Sequence, residues 1–452
     1  MSILDAIHCV ENGEPDEALR IASRILNDSP NEVDALCVSA QAFMQAERYG
    51  LAYNLYKRAV ELQPRIPGIW NNLGLICLKM LNPVEARSYL HRSLKLDTKS
   101  WAAMNNLALA EVNDGKPQAA LELCKKSLSI DHNQWDVHET MGYANLMLGN
   151  WTEGWDGYEY MVGNEKHRTF EPRREDADYW RGERGIPLHV RGEQGIGDEI
   201  SFASMINDAS EHNEVILECD KRLEGLFKRS FPKINVYGSR FEKNPSWVAQ
   251  HAFDDWCLSG SLGWHYRTKT EDFDGEPYLK ADPERKLQWK VLLDSLGTKP
   301  KVGIAWTGGL KDTHSQRRSV ALEQLLPILK QDCTFVSLQY KPPTELAAFE
   351  QKHGIKIHHW ARATETSDYD DTAALVDELD LVISVTTAVV DLCGALGKPC
   401  WVLVPNKPHW RYGMSGDKKV WYNSVKLFRQ GKDWTGIIKT VGDELAQYIK
   451  AA

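Results

Sequence analysis

The sequence predicts an α-helical solenoid followed by an α/β region built from two doubly wound parallel sheets. Three observations predict it. Small residues recur every 34 positions through the first third of the chain, short apolar runs alternate with helical stretches twice through the remainder, and a glycine-rich turn joins strand to helix at the head of that remainder. With 452 residues the chain has room for two to four domains with real cores. Hydrophobic residues make up 42% and charged residues 26%, and mean hydropathy is −0.45, which excludes a disordered chain and argues against a membrane protein.

The repeats come first. One small series runs Ala6, Ala40, Gly74, Ala108 and Gly142, and a second runs Ala18, Ala52, Ala86, Ala120 and Gly154, each in steps of 34. Two helices approach closely only where side chains are small, so each series predicts a helix crossing. Helix-ending signals keep the same register: Pro30 and Pro64, then Leu62, Leu96 and Ile130, while Asn71-Asn72-Leu73 returns as Asn105-Asn106-Leu107. The pattern resembles tetratricopeptide repeats, with five units over about residues 2–167. Such a solenoid offers a concave surface to a peptide, a partner or a second copy of the chain, and serves equally as a plain scaffold. The last unit is crowded with Trp151, Trp155, Tyr158 and Tyr160, which suits a cap packed against the following domain.

A charged, strand-poor stretch from Arg173 to Gly185 reads as a linker. Then come the strand Pro187–Val190, the turn Gly192-Glu193-Gln194-Gly195-Ile196-Gly197-Asp198, a helix-like run to about Glu211, and the strand Val215–Cys219. From Lys301 the alternation is clearer. Strands are predicted at 302–306, 334–338, 355–359, 381–385 and 401–404, and helices near 322–330, from 344, near 372–378 and before Leu396. The expected division is a solenoid at 1–167, one α/β domain at 168–290 and another at 291–452, the second boundary lying near Pro283 to Pro300. Two such domains place a ligand cleft between the carboxyl ends of their sheets.

Four constellations there could carry chemistry. In the first, Gly195 and Gly197 let backbone approach a ligand, and Asp198 stands at the helix start. Asp198 reads as a general base, as a plain helix cap, or, with Glu218 about 20 residues on, as part of a dinucleotide or S-adenosylmethionine fingerprint; the residues leave these open. In the second, Thr386 and Thr387 join free amides at a helix N-terminus to form a diphosphate site that needs no metal, or simply cap the helix, and Asp391 one turn later could accept from ribose hydroxyls. In the third, Trp306-Thr307-Gly308-Gly309 leads through His314 to Arg317 and Arg318, whose guanidiniums suit phosphate oxygens. In the fourth, Ser337-Leu338-Gln339-Tyr340-Lys341 at a strand end could read a base edge. Asp272-Phe273-Asp274 spells D-x-D but reads as a solvated loop. No helical His pair has metal-ligand spacing, and nine cysteines without a C-x-x-C predict neither a zinc site nor a disulfide framework.

Taken in order, Trp151-Thr152-Glu153-Gly154-Trp155, Gly192 to Asp198, Gly303-Ile304-Ala305-Trp306, Arg318-Ser319, Ser337-Leu338-Gln339, Leu379 to Ser384, Gly394 to Pro399 and Leu427-Phe428-Arg429-Gln430 resemble bacterial and phage tetratricopeptide-repeat glycosyltransferases. Their catalytic half is similar to the heptosyltransferases. The resemblance spans almost the whole chain and implies a GT-B fold, two Rossmann-like domains facing across a cleft, with metal-independent transfer from a nucleotide sugar held mainly by the second. It also implies that Asp198 is the base. Where relatives read Val-Asp-Thr-Ala-Val-Ala-His-Leu-Ala-Gly, this chain has Thr386 for the Asp and Asp391 for the His, so a donor other than a heptose is open. The Thr-Thr pair followed by Asp also looks like the diphosphate-binding turn of O-linked N-acetylglucosamine transferases.

The expected activity is therefore inverting glycosyl transfer without a metal or bound cofactor. Asp198 would take the proton of an acceptor hydroxyl. Thr386, Thr387, Arg317 and Arg318 would hold the leaving diphosphate; Gly195, Gly197 and Trp306 would line the donor site; Gln339 and Asp391 would take the nucleoside. The acceptor would be a protein or surface glycan docked on the repeats, which could also pair copies of the chain. The 54 Lys and Arg against 63 Asp and Glu give a net charge of −9, so a nucleic-acid partner is not favoured. With no run of 18 apolar residues and no secretory signal in MSILDAIHCVENG, neither a membrane span nor export is expected, and the chain is read as cytoplasmic. Two rivals stand beside this: a non-catalytic repeat scaffold with a degenerate nucleotide-binding half, and a methyltransferase using the glycine turn and Glu218.

Overall fold

The computed structural model of the chain describes residues 2–162, 171–309, 315–340, 344–365 and 367–451; His314 and Lys341 of the predicted motifs lie outside them. The chain divides into two compact units, Met1–Asn145 and Leu146–Ala452. Ten consecutive helices make the repeats: α1 (Ile3–Glu11), α2 (Pro15–Asp28), α3 (Val33–Gln45), α4 (Tyr49–Leu62), α5 (Pro67–Lys79), α6 (Pro83–Leu96), α7 (Trp101–Asn113), α8 (Pro117–Leu128), α9 (Trp135–Leu148) and α10 (Trp151–Val162). The division falls within α9, so α10 belongs wholly to the second unit.

The small residues of the 34-residue period sit at the helix crossings. Ala6, Ala18, Ala40, Ala52, Ala86, Ala108 and Ala120 are all fully buried. A Cβ on Gly74 would come within 2.5 Å of the Leu90 side chain, which is why that crossing tolerates no side chain at all. Proline opens α2, α5, α6 and α8, where its missing N–H costs nothing. Each first helix of a pair ends on a left-handed residue in the same register: Gly13, Glu47, Leu81, Gly115 and Gly149, with φ of 74°, 57°, 62°, 74° and 78°. The turn thus demands a conformation that only three of the five residues adopt freely.

In the second unit, β1 (Asp178–Tyr179), β2 (Pro187–Arg191), β3 (Glu214–Glu218), β4 (Asn235–Tyr237) and β5 (Asp255–Leu258) form a parallel sheet in the order β1-β5-β2-β3-β4. A second sheet holds β6 (Lys301–Ala305), β7 (Thr334–Ser337), β8 (Ile357–His358), β9 (Leu381–Val385), β10 (Cys400–Val404), β11 (Lys418–Lys419) and β12 (Tyr422–Arg429) in the order β11-β12-β10-β9-β6-β7-β8. Among the described residues, its edge strand β11 runs antiparallel and the other strands parallel. In both sheets the chain winds outward one way from a central strand and then returns to its other side, so the direction reverses between β2 and β5 and again between β6 and β9. Those reversals open a crevice at the carboxyl ends of the strands. Central strands β6 and β9 are buried at every position, as strands covered on both faces require, and their side chains join Leu322, Leu325, Phe349, Trp434 and Leu445 in one core.

Some elements differ from expectation. The stretch read as a linker contains β1, which pairs through Asp178 and Tyr179 with Asp255 and Trp256; two residues are too few to show a period, and the partner is distant in sequence. The boundary expected at 290/291 falls inside the helix Pro283–Asp294, whose Arg285 and Trp289 bond Asp371 of the second α/β half. The helix expected at 322–330 is a 3₁₀ turn followed by Leu326–Leu329. Asp272 of the D-x-D accepts from the backbone of Thr268 and Lys269 and so closes its own loop.

Candidate functional site

The site is built on two strand-to-helix turns, one from each sheet. After β2, Gly192 passes so close to neighbouring groups that a Cβ there would meet the Glu199 carboxylate at 2.6 Å and the Glu218 carbonyl at 3.0 Å. Gln194 is left-handed, with φ of 58°, and Gly195 opens the helix Ile196–Ala203. Asp198 is a helix cap: its Oδ2 accepts from the Gly195 N–H at 2.9 Å. Its other oxygen is taken by the Arg411 guanidinium, and the side chain keeps 23% of its surface exposed. Arg411 itself is buried, lying over the rings of Phe202 and Trp410.

The acids around this turn are already committed. Glu199 is buried against Arg240 and the Asp220 N–H, and burial pushes its carboxyl up to about 7 despite the guanidinium. Glu218, the residue a ribose-binding fingerprint would need, is fully buried; it accepts from Arg173 at 2.7 and 3.0 Å and from Ser239 at 2.8 Å, with His189 and Arg191 beside it. Burial would raise its carboxyl, but His189 and Arg173 outweigh that and hold it near about 2. The fingerprint reading fails on this geometry, because the carboxylate has no face left for a ribose.

On the second sheet, β9 runs into the helix Ala388–Leu396 through Thr386 and Thr387. Neither hydroxyl caps the helix: Thr387 Oγ1 lies 3.2 Å from the Ser384 hydroxyl, and Thr386 offers its carbonyl to Arg318 Nη1 at 2.8 Å. Arg318 also lies on Gly308, where a Cβ would come within 2.7 Å of it, and Gly308 N–H donates to Ser319. Burial lowers the Arg318 pKa. Arg317 is half-buried on the same short helix.

Three predicted ligand contacts have other work. Trp306 is buried, its indole donating to Glu345 at 3.0 Å, so it belongs to the core. Gln339 is spent on the loop beside it: Oε1 accepts from the N–H groups of Trp306 and Thr307, and Nε2 donates to Thr307 Oγ1. Asp391 is buried and accepts from Lys419 and from Ser201 at 3.0 Å, in place of a ribose. Desolvation lowers the Lys419 pKa while Asp391 opposes it, a buried ion pair next to Tyr278 and Tyr422.

These contacts bring most of the predicted residues together. A Cβ on Gly197 would meet Ala388 Cα and Asp391 Oδ2 at 3.1 Å, so the two helix starts are packed on each other. Gly195, Gly197, Asp198, Arg318, Thr386, Thr387 and Asp391 lie along one chain of contacts at the carboxyl ends of both sheets, with Trp306 and Gln339 behind it. Sequence reasoning missed Arg411, Lys419 and His409. All three follow β10 in the chain, which was the available signal; Arg411 and Lys419 are buried, whereas His409 is exposed. Among the described residues no helix is long and apolar enough to cross a membrane.

Comparison with known proteins gives two kinds of match. The family described as Tetratricopeptide repeat matches residues 6–65 and 78–134. Over 427 residues the chain is 30% identical to protein FlbA of Caulobacter vibrioides, taking in 88% of this chain and 70% of that one. It is 26% identical over 120 residues to the tetratricopeptide repeat-containing protein trd-1 of Caenorhabditis elegans, which is 26% of this chain and 16% of the nematode protein. Among solved structures, MamA is similar over 35% of this chain and 91% of its own, with 22% identity and a TM-score of 0.30.

Proposed function

The chain belongs to the family of the Caulobacter protein FlbA, sharing with it both the repeats and the α/β half, and from that premise we propose that it is a metal-independent glycosyltransferase of GT-B architecture. The observation that supports this most is the convergence of Asp198, Arg411, Arg318 and the Thr386–Thr387 turn where two doubly wound sheets meet. A nucleotide sugar has two demands, cations for its diphosphate and a base for the acceptor, and this cluster holds both.

In this reading the donor diphosphate lies at the start of the Ala388–Leu396 helix, whose amides and the Arg318 guanidinium neutralise it. Arg411 turns from Asp198 to the second phosphate. Asp198, released, takes the proton of the acceptor hydroxyl as that oxygen attacks the anomeric carbon; the sugar–phosphate bond breaks, and the electron pair leaves on the diphosphate. The acceptor is a protein or glycan presented by the repeats.

The pairing of Asp198 with Arg411 also favours a second reading, a repeat scaffold whose nucleotide cleft binds without turnover. One pair of measurements separates them. Thermal shift with nucleoside diphosphates and their sugars, with and without chelator, reads binding; sugar transfer by wild type and Asp198→Asn reads chemistry. The proposal expects chelator-insensitive stabilisation, and turnover that falls at least about a hundredfold in Asp198→Asn, in which the amide oxygen can still cap the helix. Binding without transfer in the wild type would establish the scaffold reading, and near-wild-type turnover in the variant would remove Asp198 as the base.

A further inference from the structure

The last repeat helix, α10, touches the two chain segments that carry the Asp198–Arg411 pair. On one side, the Tyr158 hydroxyl donates to Glu193 Oε1 at 3.0 Å, and Gln194 Nε2 donates to that same hydroxyl at 3.0 Å. Glu193 is fully buried, and its Oε1 also accepts from the Gly260 N–H at 2.9 Å. Glu193 and Gln194 form the turn that ends in Gly195 and Asp198, and Gln194 holds a left-handed conformation that a non-glycine residue keeps only where its surroundings offset the strain. On the other side, Trp155 meets Trp410 edge to face at 5.7 Å, one residue before Arg411. Trp155 is itself fixed, with its indole donating to the Arg267 carbonyl at 2.8 Å and its ring filling the space over Gly263.

We infer that α10 is a positioning element for the site, and that Tyr158 is a positioning residue which sets the Glu193–Asp198 turn through its hydroxyl. Other bonds, from Trp151 to Thr270, Thr152 to the Thr268 carbonyl and Trp264 to Asp156, hold α10 in place without reaching the turn. The hydroxyl adds a directed link, from a repeat helix to the two residues whose backbone aims Asp198 at Arg411. A change in α10 is thereby transmitted to the acid without touching any ligand. The inference rests on the proposed function only for its consequence in turnover; the positioning itself has an independent readout.

That readout is backbone amide hydrogen exchange across residues 192–198 in full-length wild type, Tyr158→Phe and Glu193→Gln. Tyr158→Phe keeps the ring in its contacts with Trp155 and Phe202 and removes only the hydroxyl. Its exchange in 192–198 is expected to rise about tenfold, equivalent to about 1.4 kcal/mol of local opening, while exchange in β6 and β9 stays at the wild-type rate. Glu193→Gln retains an acceptor oxygen and is expected to stay near wild type. In a transfer assay Tyr158→Phe lowers kcat with little change in the donor KM. Unchanged exchange in 192–198, or a rise spread evenly over the whole unit, would overturn the inference. If the wild type transfers no sugar, the glycosyltransferase reading fails while the exchange experiment still decides the role of Tyr158.

Discussion

Replacing Glu47 by glycine is expected to stabilise the repeats, although it deletes a side chain. Glu47 follows the C-cap of α3 with φ of 57°, the position that Gly13 fills after α1 with φ of 74°. A left-handed non-glycine residue carries about 1–2 kcal/mol of steric cost. Glycine removes that cost and returns about 0.5–1 kcal/mol as extra freedom of the unfolded chain. The Glu47 side chain is exposed, so its packing loss is small, and the net gain is about 0.5 kcal/mol. Gly13→Ala is the converse: no atom lies within 4 Å of the added Cβ, so the backbone alone decides, and a loss of about 0.5–1 kcal/mol is expected. Urea unfolding followed by helix signal reads both, as midpoint shifts of a few tenths of a molar in opposite directions. If both variants lowered the midpoint, side-chain contact rather than the left-handed turn would govern these positions, and the reasoning would be wrong.

Other predictions concern the second unit. Glu199 holds its proton with a pKa of about 7 when folded against 4.5 in the open chain, so the folded state binds more protons between those values and stability falls as pH rises through them. At about 1.4 kcal/mol per unit the fall is about 3 kcal/mol, and Glu199→Gln, melted across the same range, should lack it. Glu218 acts in the opposite sense: held near about 2, it contributes stability that is full above 4.5 and is lost as pH falls towards 2, so Glu218→Gln should flatten that acid limb. Lys419→Met leaves Asp391 buried without its cation and should destabilise by about 3–5 kcal/mol, whereas Lys419→Met with Asp391→Leu should recover most of that; melting of both variants tests the pair.

The sequence by itself determined the elements that repeat or alternate. The 34-residue register of Ala6, Ala40, Gly74 and Ala108 names helix crossings because closeness between successive helices is a local requirement written once per repeat. The apolar runs at 302–305 and 381–385 name central strands for the same reason, since burial on both faces admits few other residues. What the side chains at the site do was decided only by tertiary structure. Asp198, Asp391 and Glu218 are each an acid beside a turn, legible as base, ribose ligand or cap. Arg411, Lys419 and Arg173 decide between those roles, and no local pattern sets the partners. Asp391 meets Ser201 across 190 residues of chain and Tyr422 meets Ser201 across 221, pairings fixed by how two sheets wind and pack. In the sequence Lys419 is one lysine among many, with no local pattern that marks it. It is buried because the fold brings an aspartate to it, and a buried charge persists only where the chain supplies its opposite.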